Sequence, residues 1–162
     1  GGPYPLGYLG LGDVFVLIFF GPVATGGTFY VQAQELPMEV LVAGLAPGLL
    51  STALLAVNNL RDVLTDRKVG KRTLAVRFGP LFARLEYALC LVSALCLPVV
   101  LVLNRETNWL ALAAVLMLLP AIPSLRCVLF GAEGVNLNKT LGNTGKILLL
   151  FSALFSAGWL LG

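Results

Sequence analysis

The chain has 162 residues, 58% of them hydrophobic and 12% charged, with a net charge of +3 and no histidine. Its mean hydropathy of +0.91 exceeds that of a soluble domain of this length, and so small a positive charge reads as membrane topology, not nucleic-acid binding. Without histidine, a Ser-His-Asp triad, a zincin motif and a histidine-ligated haem are all excluded.

Residues 14–34, 40–60, 87–104, 107–125 and 147–162 contain no Asp, Glu, Lys or Arg. Each run is close to the roughly 20 residues a helix needs to cross about 30 Å of hydrocarbon, so the sequence predicts an all-α, polytopic membrane bundle with five transmembrane helices. Residues 1–12 form a glycine- and proline-rich connector that ends at Asp13, a natural N-cap. Such a loop either brings backbone N–H groups up to a ligand or simply turns into the first helix. The first span, 14–32, has Thr25, Thr28 and Gln32 as polar positions, and Gly26-Gly27 permits close helix approach. The second begins near Pro37 and carries Gly44-x-x-x-Gly48, a helix-packing pair, with Pro47 expected to kink it. After a polar stretch, 74–84 reads as a short connection broken at Gly79-Pro80, and the third span covers 85–103. Residues 104–107 are a predicted tight turn into the fourth span, 109–125. Residues 126–146 form a second polar connection before the last helix. The uncharged 140–145 segment can extend that helix past Lys146, which then snorkels to the interface. Cys90, Cys96 and Cys127 support neither a metal site nor a disulfide framework and read as small buried apolar residues. No Gly-(x)4-Gly-Lys-Ser/Thr phosphate loop and no usable internal repeat occur.

The polar stretch from Asn58 to Thr73 holds two acids, Asp62 and Asp66, and five bases, Arg61, Arg67, Lys68, Lys71 and Arg72. If the second helix continues through it, Asn59, Asp62 and Asp66 share one face within roughly 60° of arc. Paired carboxylates of this kind suit Mg²⁺, which takes one or two protein carboxylates and completes its octahedron with water and phosphate oxygens. Gly70 should end the helix and leave Lys68, Lys71 and Arg72 free to reach an anion bridged by the metal. A solvated loop of mixed charge accounts for the spacing equally well.

Asn58-Asn59-Leu60-Arg61-Asp62, followed by Asp66 and then Gly70-Lys71-Arg72-Thr73, resembles the second aspartate-rich motif of the UbiA superfamily of intramembrane prenyltransferases. The Asn-Asn-x-Arg-Asp start and the Gly-Lys-x-Thr end are most similar to its 1,4-dihydroxy-2-naphthoate polyprenyltransferase branch. Gly10-Leu11-Gly12-Asp13, Phe19-Phe20-Gly21-Pro22-Val23-Ala24 and Thr28-Phe29-Tyr30-Val31-Gln32 extend the resemblance over the first two helices. It implies a transferase that uses Mg²⁺ on Asp62 and Asp66, the catalytic pair, to bind a polyprenyl diphosphate. Arg61, Lys68, Lys71 and Arg72 would neutralise the diphosphate, with Asn58 and Asn59 supporting them. The allylic cation would alkylate dihydroxynaphthoate, with loss of its carboxylate, in menaquinone or phylloquinone biosynthesis.

The resemblance also implies a nine-helix fold with an earlier aspartate-rich motif that this sequence lacks. Residues 1–162 are therefore expected to be the C-terminal portion of one transmembrane prenyltransferase domain, inactive without the missing N-terminal half. Asp13 reads as isolated and unable to replace the absent cluster. Two alternatives stand: another acceptor, such as 4-hydroxybenzoate, homogentisate or a chlorophyllide, or a membrane transport or assembly subunit. Transport predicts ionisable residues within the spans, which the charge-free runs oppose. Seven basic residues, Arg61, Arg67, Lys68, Lys71, Arg72, Arg77 and Arg84, lie between spans two and three. The positive-inside rule makes that connection cytoplasmic in a multi-pass protein of the cell membrane, with Trp109 and Trp159 near the outer interface.

Overall fold

The computed structural model describes residues 5–105, 109–131 and 133–162. Among them every regular element is helical: α1 (Gly12–Ile18), a π turn (Phe19–Val23), α2 (Ala24–Ala33), α3 (Met38–Arg61), α4 (Val63–Lys68), α5 (Leu74–Phe78) and α6 (Pro80–Arg105), then a 3-10 segment (Trp109–Met117), α7 (Leu118–Leu129), a 3-10 turn (Gly134–Asn136) and α8 (Leu137–Leu161). Five stretches are long and apolar enough to cross a membrane: Gly12–Ala33, Met38–Arg61, Pro80–Asn104, Trp109–Leu129 and Gly134–Leu161. Five spans and an all-α fold therefore hold. Of the turn expected at 104–107, Asn104 and Arg105 close α6, and the rest lies outside the described residues.

Helix α3 is the hub. Ala46, Leu50, Ala53, Val57 and Leu60, spaced three and four apart on one face, are buried, as are Tyr87, Leu91 and Leu95 of α6 and Ile147 and Phe151 of α8 in the same cluster. In lipid, helices associate through close packing because the tails are as apolar as the side chains. The glycine pair of α3 meets that requirement. A Cβ on Gly21 would lie 2.8 Å from the Gly44 carbonyl oxygen and 3.1 Å from the Gly48 Cα. Gly26 packs likewise against Leu41, but Gly27 has nothing within 4 Å.

Helix α3 runs from Met38 to Arg61 without interruption, with Pro47 inside it. The break falls in the first span, where Gly21 has non-helical dihedrals (φ −105°, ψ −111°) just before Pro22. Proline removes one N–H and crowds the residue before it, which is Gly21 at Pro22, free to take these dihedrals, and Ala46 at Pro47.

Two helices are longer than predicted. Pro80 sits at the first position of α6, where its missing N–H costs nothing, so that helix starts before residue 85. Helix α8 starts at Leu137, which shortens the second polar connection. Arg84 and Glu86 thereby become helical. Arg84 is buried, donates to the Val128 carbonyl oxygen and lies 3.8 Å from Glu133, fastening α6 to the end of α7. One turn on, the buried Tyr87 hydroxyl meets Thr144 Oγ1 at 3.0 Å. Cys96 is exposed, against the expectation that all three cysteines are buried; Cys90 and Cys127 are half-buried. It lies on a face of α6 that none of the described helices covers.

Candidate functional site

The polar stretch is not one uninterrupted helix. Helix α3 ends at Arg61, Asp62 has φ −98° and ψ 8°, and α4 resumes at Val63. The cause is visible in the side chains. Arg61 donates from Nε to Asp62 Oδ1 at 2.8 Å and from a terminal nitrogen to Oδ2 at 2.7 Å. Consecutive residues on a regular helix point about 100° apart, so this two-pronged contact and the backbone departure go together. The Asp66 N–H still donates to the Asp62 carbonyl at 2.8 Å, which keeps the two aspartates one turn apart.

Gly70 ends α4 as expected, with a φ of 74° that L side chains rarely adopt. The Gly70 N–H donates to the Arg67 carbonyl at 3.3 Å and the Lys71 N–H to the Asp66 carbonyl at 2.9 Å, the bond pair of a Schellman motif. That closure returns Lys71 over the last turn, where its Nζ lies 3.0 Å from Asp66 Oδ2. Thr73 then caps α5, its hydroxyl accepting from the Val76 N–H at 3.3 Å.

Two small networks result. Asn58 Oδ1 accepts from Arg61 at 2.8 Å, and Arg61 also donates to Asn138 Oδ1 of α8 at 3.0 Å, so its guanidinium clamps Asp62 between two helices. Asn59 faces the other way. Its Nδ2 donates to Asp13 Oδ1 at 3.4 Å, while its own buried Oδ1 has no protein partner. Asp13, expected as an N-cap and read as isolated, is instead a buried member of the second network. Lys71 is near enough to act on it electrostatically as well as bonding Asp66. Only the position of Asp13, a carboxylate opening an apolar span, was a signal in the sequence.

Lys68 and Arg72 are exposed, and among the described residues neither forms an ion pair. The glycine-rich connector packs against this segment: Tyr8 O accepts from the Arg72 N–H at 3.1 Å, and Leu9 O from Arg77 at 2.7 Å. Gly10, at φ +71°, lies so close that a Cβ would be 2.6 Å from the Arg72 carbonyl oxygen. In the described part of the connector, glycine serves this close backbone contact.

The hydrogen bond from Arg61 holds the Asp62 carboxyl below the usual carboxylate range, with burial opposing it. Asp62 is thus ionised at neutral pH, as an acceptor of cations must be. Among the described residues no group of three or more His, Cys, Asp or Glu converges to hold a metal by itself. Two hard carboxylates fit a hard divalent cation whose remaining positions are filled by water and phosphate. An apolar cavity of about 620 Å³ beside Phe29, Val40, Ala43, Phe155 and Trp159 lies at the other end of α3. By helix rise that is roughly 30 Å from Asp62.

Residues 3–134 match the model of the UbiA prenyltransferase family. The chain is 38% identical to a 1,4-dihydroxy-2-naphthoate octaprenyltransferase of Haemophilus influenzae, across 99% of this chain and 52% of the relative. It is 39% identical to the Escherichia coli protein of the same name, across 97% and 51%. A 2-carboxy-1,4-naphthoquinone phytyltransferase of Synechocystis is 30% identical over 79% of this chain and 42% of the relative. The chain thus spans about half the length of the curated relatives it matches. With the paired-aspartate stretch and five apolar helices already in place, the match means that this chain belongs to the UbiA prenyltransferase family.

Proposed function

We propose that the chain is the C-terminal part of a prenyltransferase that moves a polyprenyl group from its diphosphate to 1,4-dihydroxy-2-naphthoate. The observation carrying this reading is the pair Asp62 and Asp66, one turn apart at the end of a membrane-spanning helix, each joined to its own base. The relatives' names favour the naphthoate over 4-hydroxybenzoate, homogentisate or a chlorophyllide. A transport route would need ionisable groups spread along the spans, whereas Asp13, Asp62, Asp66, Lys71 and Arg84 gather towards one end of the helices.

Asp62 and Asp66 would hold the divalent cation, Mg²⁺ by preference for oxygen ligands, and the bound cation supplies charge neutralisation for the diphosphate. Arg61 keeps Asp62 ionised and aimed. Lys71 leaves Asp66 for the diphosphate oxygens, and Lys68 and Arg72 add positive charge from the exposed side. Breaking the allylic C–O bond sends its electron pair to the diphosphate, which these bases stabilise. The aromatic ring attacks the allylic carbon, and the carboxylate departs as CO₂, returning its bonding pair to the ring. Apolar helix walls keep water from the cation. By the charge asymmetry of the connections, the site faces the cytoplasm from the cell membrane.

The decisive experiment expresses the chain in membranes, alone and with the N-terminal half of a relative. Mg²⁺, a polyprenyl diphosphate and dihydroxynaphthoate are then supplied. Prenylated naphthoquinol, read as the quinone after oxidation in air, is expected only from the pair. Product from the chain alone at the rate of a full-length relative would overturn the two-part reading, and none from a well-folded pair would overturn the assigned reaction.

A further inference from the structure

A second polar cavity, about 770 Å³, opens between α7 and α8; Ser124, Cys127, Asn138, Lys139, Asn143 and Lys146 are among its lining residues, and no Asp or Glu is. Lys139, Asn143 and Lys146, at i, i+4 and i+7, share one face of α8. Asn143 forms the bridge between the helices, its Nδ2 donating to the Pro120 carbonyl at 3.1 Å and to Ser124 Oγ at 2.7 Å. Among the described residues neither lysine forms an ion pair. Glu133, the acid of this connection, is exposed and lies towards Arg84.

Lys146 carries the argument furthest. It is exposed and closes the polar first part of α8, directly before the charge-free run 147–162, so its ammonium stands where the helix turns apolar. A cation at that edge of an apolar span favours a counter-charge that can sit beside it at the interface. The cavity is present, and nothing on its wall is anionic. An ammonium seven residues away on the same face can converge with it on one multivalent oxyanion. A freely soluble anion gains nothing from the apolar surface next to the cavity. An amphiphile gains from both, its charge at the lysines and its chains beside the exposed Pro120 and Pro123.

We propose that this groove binds the phosphate-bearing head group of a membrane amphiphile. Its lining contains neither Asp62 nor Asp66, and the proposal does not depend on the reaction assigned to them, although Asn138 on its rim also accepts from Arg61. Two sources share the chemistry: an anionic phospholipid and a prenyl diphosphate.

The test is native mass spectrometry of the purified chain in neutral detergent, with EDTA so that no metal-dependent binding contributes. The probes are phosphatidylglycerol, phosphatidylcholine and geranyl diphosphate. Phosphatidylglycerol should bind in preference to phosphatidylcholine. The double substitution Lys139→Gln, Lys146→Gln should weaken it by about 25-fold, at roughly fivefold for each basic residue. Lys139→Arg, Lys146→Arg should retain binding, and Arg126→Gln, on the same connection but outside the lining, should leave it unchanged. Geranyl diphosphate that displaces the lipid, and loses affinity in the same Gln variant, makes the prenyl diphosphate the occupant; failure to displace leaves the phospholipid. Equal binding by wild type and the Gln variant, or an equal loss in Arg126→Gln, overturns the proposal.

Discussion

Lys71 Nζ lies 3.0 Å from Asp66 Oδ2, and the left-handed Gly70 between these residues is what turns the chain back to make that contact. A Cβ at Gly70 would meet no atom within 4 Å, so the whole penalty of substitution is conformational. Gly70→Ala is therefore expected to cost about 1 kcal/mol, and Gly70→Asn less, since Asn tolerates the left-handed region. Thermal unfolding in detergent measures the difference; equal losses for both would mean that something other than backbone handedness is at stake.

In the active assembly of this chain with an N-terminal half, Asp62→Asn and Asp66→Asn should each lower prenyl transfer by more than about 10²-fold, the scale of one preorganised electrostatic contact. Helix content should change little, while the melting temperature falls modestly, because Asp62→Asn gives up the ion pair with Arg61 and Asp66→Asn that with Lys71. Lys71→Ala should be milder, with Arg72 supplying part of the lost charge. Near-normal turnover by purified, folded variants would reduce the stretch to a solvated loop.

Acid should uncouple Arg61 from Asp62. The folded-state pKa of Asp62 is lowered, first by its hydrogen bond from Arg61. Its contribution to stability is then fully present above the unfolded carboxylate value of about 3.9 and disappears as pH falls through the lower folded value. Unfolding followed from pH 5 downward should show a loss in wild type that Asp62→Asn lacks. Parallel acid limbs in the two proteins would contradict the assignment.

The glycines of the first two spans should separate by function. Gly48→Val drives a side chain into Gly21 and the Leu17 carbonyl, where a Cβ alone already comes within 2.9 Å of the Gly21 Cα. Overpacking of that kind costs about 1–3 kcal/mol. Gly27→Val, with open space around it, should be close to neutral. Midpoints of unfolding in a denaturing detergent compare the two, and a Gly27 variant as damaged as the Gly48 variant would show that the seam is misplaced.

The number of spans, the helical class and the aspartate stretch were legible from residue order alone. Charge-free runs of membrane length admit one structure, because backbone polar groups in hydrocarbon must bond within their own helix. Gly70 was legible for a similar reason, as a local backbone event that needs no distant partner. Helix ends were less so: Pro80 begins α6 where its ring and missing N–H are tolerated, and α8 runs back to Leu137 although Lys139 and Lys146 interrupt its apolar pattern. The two aspartates take their bases locally, from Arg61 and Lys71, but the distant partners of the polar groups belonged to the tertiary structure. Spacing on one helix face put Asn59, Asp62 and Asp66 together, but Asn59 turns to Asp13, 46 residues earlier, and Arg61 reaches Asn138, 77 residues later. A buried charge takes whichever counter-group the packed helices bring within about 3 Å, and that choice depends on how α1, α3 and α8 settle along their glycine seams and side-chain ridges, which no local pattern encodes.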